Sequence, residues 1–197
     1  MKRILALPVL SALALLLSSC GGNRTPGSST VPQSAKDCSA QKWLDYYKDE
    51  ELPWDTSRDL ELPEYPGVIF RWTDSAVTAV EDGSETTLFF GMPVWNVYLC
   101  DLTGDSRPEL CATVSMGSGI VDEHIVVYDY ASKATYELSD RMKVDYVLTM
   151  KEDRLEVLKS EYGGSEISTG QLVFVPEGDG HLALQGETDK FIHSSSM

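Results

Sequence analysis

The chain has 197 residues, with 31 acidic against 16 basic side chains and a formal charge of −15. With no basic patch to displace counterions from phosphates, this balance excludes a nucleic-acid partner and direct attraction to anionic lipid. Four cysteines are too few for a disulfide-built scaffold.

Residues 1–19 read as a lipoprotein signal peptide. Lys2 and Arg3 form a positive start, and Ile4 to Leu17 is an apolar run too short to span a bilayer. It ends in Leu17-Ser18-Ser19-Cys20, which looks like a bacterial lipobox. The other reading is a secretory signal followed by a chance cysteine. Acyl chains such as palmitate on Cys20 would hold the chain to the extracytoplasmic face of the cell membrane without a transmembrane helix. Removing Lys2 and Arg3 with the leader takes the charge from −15 to −17. An acidic surface of this kind suits solubility and calcium in an exterior compartment.

Residues 20–37 are the lipid-acceptor cysteine and a Gly/Ser/Thr/Pro-rich tether, which lacks the apolar surface to offset its chain entropy. Residues 38–188 are roughly 150 residues, the size of one domain. Residues 189–197, with Ser194-Ser195-Ser196, read as a disordered tail.

Within the domain, Lys36–Glu51 carries a helix signal: Ser39 can cap, and Trp43, Leu44 and Tyr47 fall at helical spacing. Pro53 to Gly67 is predicted to be an extended connector ending in a type II turn at Tyr65-Pro66-Gly67-Val68. Strands follow at Val68–Trp72, Ala76–Val80 and Thr86–Phe90, the latter two joined by an Asp82-Gly83 turn. Further strands are expected at Val94–Cys100, Leu110–Met116, Ile125–Tyr130, Thr135–Leu138, Val144–Met150, Leu155–Lys159, Gln171–Val175 and Leu182–Leu184. Short strands at this spacing predict a mainly β, antiparallel meander or sandwich, or partial propeller-like sheets, with one short N-terminal helix.

Parity places Trp95, Val97 and Leu99 on one face of their strand and Leu110, Ala112, Val114 and Met116 on one face of the next. Cys100 and Cys111 then share the opposite face. They form either a disulfide at the foot of the hairpin or two reduced, buried thiols.

The loop between these strands, Asp101 to Glu109, is the best candidate for chemistry. Oxygen-bearing side chains at Asp101, Thr103, Asp105 and Glu109, with the carbonyl of Arg107, have the spacing of a short calcium loop. It is not an EF-hand, because Ser106 stands where glycine is expected and Ala112 where a bidentate glutamate is needed. The alternative is a hairpin held by Asx-turns, with Gly104 supplying a positive φ.

Catalytic motifs are lacking. Gly117-Ser118-Gly119 is no nucleophile elbow. His124 lies near Asp122 and Glu123 with no activated nucleophile in sight, and His181 and His193 are isolated from any zinc spacing. Trp54 is the tryptophan expected to be exposed.

Trp95 to Asp105, Pro108 to Val114, Gly117 to Asp122 and Val126 to Tyr130 together resemble an uncharacterised extracytoplasmic domain of bacterial lipoproteins. The stretch also resembles the C-terminal domain of antirepressor-type membrane metallopeptidases. The Asp-x-Thr-Gly-Asp-x-x-x-Glu loop is similar to calcium loops of FG-GAP and VCBS type. The resemblance implies a binding or sensing module for a protein, peptide or glycan ligand. A carboxylate-based hydrolase and a purely structural surface protein are the alternatives.

Overall fold

The computed structural model describes residues 39–48, 52 and 54–189. The signal segment, Cys20, the tether, Cys38 and the chain from residue 190 lie outside them. The described residues form thirteen strands and no helix, in three open antiparallel sheets.

The described residues begin with β1 (Gln41–Asp45) and then make three successive meanders. The first is β2 (Ser57–Glu61), β3 (Val68–Thr73), β4 (Ala76–Glu81) and β5 (Ser84–Phe90). The second is β6 (Val94–Cys100), β7 (Glu109–Met116), β8 (Asp122–Asp129) and β9 (Ala134–Leu138). The third is β10 (Val144–Lys151), β11 (Arg154–Glu161), β12 (Glu166–Val175) and β13 (His181–Asp189). β1 joins the second meander as an edge strand, giving the order β1-β6-β7-β8-β9.

Local turn chemistry sets the connections. Asp82 and Gly83 both take positive φ, 51° and 77°, in the two-residue turn that closes Glu81 against Ser84. A primed turn matches the twist of the strands it joins. At Tyr65–Val68 the N–H of Val68 donates to the carbonyl of Tyr65 at 3.2 Å, and Gly67 supplies φ +86°.

The second sheet is buried on both faces. One face, with Val97, Leu99, Leu110, Ala112, Val114 and Val126, shares a core with Phe70, Trp72 and Val77 of the first sheet. The other, with Tyr98, Cys100, Cys111, Ile125 and Val127, shares a core with Tyr146, Leu148, Val157 and Leu172 of the third. Each fully buried large side chain contributes about 1.5–3 kcal/mol. The predicted face holds for Val97, Leu99, Leu110, Ala112 and Val114, but a register shift between Val94 and Asn96 puts Val94 rather than Trp95 into that core.

Two predicted elements are corrected. The described part of Lys36–Glu51 contains β1 and a turn at 46–48, not a helix, and β1 pairs antiparallel with β6. The edge of β6 needs partners for its backbone groups, and a strand supplies them where a helix cannot. A register shift between Lys42 and Leu44 turns Leu44 into the core, so the side-chain spacing imitates a helical face. The predicted Pro53–Gly67 connector contains β2, an edge strand whose side chains are only half-buried at best.

The second and third sheets are joined by polar groups as well as apolar ones. Asn96 is fully buried; its Nδ2 donates to the Leu148 carbonyl and its Oδ1 accepts the Thr113 N–H, both at 2.8 Å. Thr113 Oγ1 accepts the Leu148 N–H at 2.8 Å. Truncating Asn96 strands two buried backbone groups, each costing about 1–3 kcal/mol. Asn96→Ala is therefore expected to destabilise the chain by roughly 2–4 kcal/mol in urea unfolding. A loss below about 1 kcal/mol would show that the clamp does not hold the sheets.

Candidate functional site

The 101–109 loop leaves β6 at Cys100 and returns at Glu109, which sits directly opposite Cys100 in the β6–β7 ladder. Glu109 is 1% exposed. Its Oε2 accepts the N–H groups of Leu102 and Thr103 at 2.5 and 3.3 Å, and its Oε1 accepts the Thr103 hydroxyl at 2.7 Å. Asp101 accepts the N–H of Gly104 on Oδ1 at 2.7 Å and that of Ser106 on Oδ2 at 3.0 Å. Asp105 Oδ1 accepts the Arg107 N–H at 2.8 Å.

These bonds fold the loop inward, so that one carboxylate oxygen each of Asp101, Asp105 and Glu109 lies within 4.8 Å of the others. Thr103 adjoins the cluster through its bond to Glu109. Arg107 enters the loop through its N–H. The backbone takes φ +79° at Gly104 and +72° at Ser106. Ser106 therefore holds the left-handed conformation for which a calcium loop ordinarily uses glycine. The departure in residue type is not a departure in backbone shape.

Burial pushes the Glu109 carboxyl up to about 7, against the three loop hydrogen bonds, and the nearby Asp129 carboxylate adds to the rise. Tyr65, whose hydroxyl donates to the Pro108 carbonyl at 3.2 Å, is raised by burial and by Asp129, Asp105 and Glu109. Beside the loop a cavity of about 420 Å³ is lined by Gln41, Leu62, Glu64, Leu99, Asp101 and Pro108, among others.

Neither reading of the cysteine pair holds as it stands: Cys111 is a free, buried thiol, whereas Cys100 is disulfide-bonded, so the two do not bridge each other. Cys100 faces Glu109 and Cys111 faces Tyr98 across the ladder, so the two cysteines are diagonal neighbours. Diagonal positions lie about 7–8 Å apart, beyond the usual span of a disulfide. Both do share one face, as parity predicts, and burial pushes the Cys111 thiol well up.

The histidines divide. His124 is buried and held between Asp122 and Glu137, with Nε2 3.1 Å from Asp122 Oδ1 and Nδ1 2.7 Å from Glu137 Oε1. Asp122 could be paired with His124 from their i, i+2 spacing on a strand; Glu137, on β9, could not. His181 is exposed on β13, and His193 lies outside the described residues. Trp54 is 57% exposed, as expected. Sequence reasoning missed the carboxylate of Glu123, which accepts the Ser115 hydroxyl at 2.9 Å and the Trp95 indole N–H at 3.1 Å. Burial pushes the Glu123 carboxyl above the usual carboxylate range. The ring of Tyr47 lies 5.1 Å from that of Trp95.

Comparison with protein-family models, with curated proteins and with solved structures gives no match.

Because Glu109 binds its proton more tightly folded than unfolded, its contribution to stability is fully present below about pH 4.5 and is lost as pH rises through about 7. Glu109→Gln is expected to remove this loss. The stability difference between the two proteins should change by on the order of 2–3 kcal/mol across that window. Parallel stability–pH curves would contradict it.

Proposed function

We propose that the chain is a lipid-anchored extracytoplasmic binding or sensing module, steadied by a weak calcium ion in the 101–109 loop. The convergence of Asp101, Asp105 and Glu109 oxygens within 4.8 Å carries this reading. Calcium takes six to eight oxygens from carboxylates, hydroxyls, carbonyls and water in a flexible shell. Asp101, Asp105 and Glu109 would supply carboxylates, Thr103 its hydroxyl and Arg107 its carbonyl. With three carboxylates the affinity falls in the millimolar class of extracellular modules. The adjoining cavity is the place for a protein, peptide or glycan ligand, and its Glu64 and Asp101 favour a partner offering donors or positive charge. The alternative hydrolase draws less support, since His124 is buried and both its ring nitrogens face carboxylates.

Calcium at millimolar concentration is expected to raise the melting temperature of the full chain, and Asp101→Ala with Asp105→Ala to abolish the rise. No calcium-dependent shift would sink the cation site. For the anchor, a bacterial host supplied with labelled palmitate should label the wild-type chain but not Cys20→Ala. Equal labelling of both would remove the lipoprotein reading.

A further inference from the structure

Asp122, His124 and Glu137 form a polar cluster at the end of the middle sheet opposite the 101–109 loop. Each ring nitrogen of His124 lies within hydrogen-bond distance of a carboxylate oxygen. An ionised carboxylate only accepts, and a neutral imidazole has a single N–H. Both contacts are hydrogen bonds only when the ring carries two protons. When either proton leaves, a nitrogen lone pair faces a carboxylate.

Asp122 connects this ring to two surface segments. Its side chain is fully buried, its Oδ2 accepts the N–H of Met142 at 2.8 Å, and its Oδ1 lies 3.6 Å from Arg141 Nε. The Arg141 guanidinium in turn lies against Gly117: a Cβ there would come within 3.1 Å of Nη2, and within 2.0 Å of the Ile120 carbonyl. Asp122 therefore fastens the 139–143 connection directly, and Arg141 of that connection packs over Gly117 of the 117–121 connection. These connections carry Ile120, Val121 and Met142, all among the exposed large apolar side chains.

We propose that His124 is a proton-operated latch. Uptake of one proton completes the Asp122–His124–Glu137 bridge and holds the two apolar connections in place; loss of that proton breaks one arm and loosens them. The charged groups facing the ring are Asp122 from its own strand, Glu137 from β9 and, through Asp122, Arg141 from the following connection. β7 presents uncharged Val114 opposite His124. Glu123 is turned to Ser115 and Trp95, and Asp140 pairs with Lys143 at 3.1 Å. From the first sheet, Glu81 meets Tyr130 beyond the far end of β8.

Nitrogen NMR of the full chain, with ring signals assigned by His181→Gln and His193→Gln, tests the latch. On the acid side His124 should show two N–H groups. As pH rises, the amide signals of Gly117 and Met142 should shift with the same midpoint as the ring. Met142 amide exchange, corrected for its intrinsic pH dependence, should become about tenfold faster once the proton is lost. Glu137→Gln changes a partly exposed side chain and should move the shared midpoint to lower pH. A single ring N–H at every pH would overturn the proposal. So would a ring titration that the two amides do not follow, or a midpoint unmoved in Glu137→Gln.

Discussion

The stack of three sheets depends on how β10 meets the middle sheet, and that contact is polar at its centre. β10 is the edge of its own sheet, where backbone groups need partners from outside the ladder. Asn96 and Thr113 meet the carbonyl and N–H of Leu148 with side chains, inside an interface otherwise built from apolar residues. Apolar packing alone would let two sheets slide, because burial is non-directional. Two hydrogen bonds to defined atoms of Leu148 fix one register, and the positions of both loop-bearing ends of the middle sheet follow from it.

Much of this architecture is legible in the residues. The alternation over Val144–Met150 and the Asp82-Gly83 and Pro66-Gly67 turns each determine their local structure, and the strands appear where these signals place them. The errors share a physical cause. Ser57–Glu61 has one apolar residue and becomes a strand because β3 offers it an edge. Gln41–Asp45 has helix-compatible spacing and becomes a strand because β6 does the same. Edge strands are defined by their neighbours, and a single sequence read locally does not contain the neighbour.

The 101–109 loop is readable for a similar reason, in reverse. Asp101, Thr103, Asp105 and Glu109 lie within nine residues, so their convergence is a local event. The burial of Glu109, which moves its proton affinity, depends on the packing around the sheet and leaves no local mark. The cysteine pair is the intermediate case. Parity gives the shared face, but the two-residue offset that forbids a bridge comes from the ladder register.

Among the many acidic side chains, burial and backbone bonding separate those with structural consequences from a solvated surface. Asp45, Glu109, Asp122 and Asp129 are all buried, and each accepts at least one backbone N–H from a turn or loop. Asp129 also accepts the Ser132 hydroxyl, and Asp45 the Tyr98 hydroxyl. A buried carboxylate without donors would take up a proton or draw in a cation. In the 101–109 loop amide donors hold the Asp101, Asp105 and Glu109 side chains, so the loop has its shape without an ion. Glu109 Oε2 already accepts two amides, but Glu109 Oε1, both Asp101 oxygens and Asp105 Oδ1 accept one bond each and keep a second lone pair. A cation can therefore add to the loop without dismantling it, and its stabilising effect is limited to what mass action supplies at a weak site.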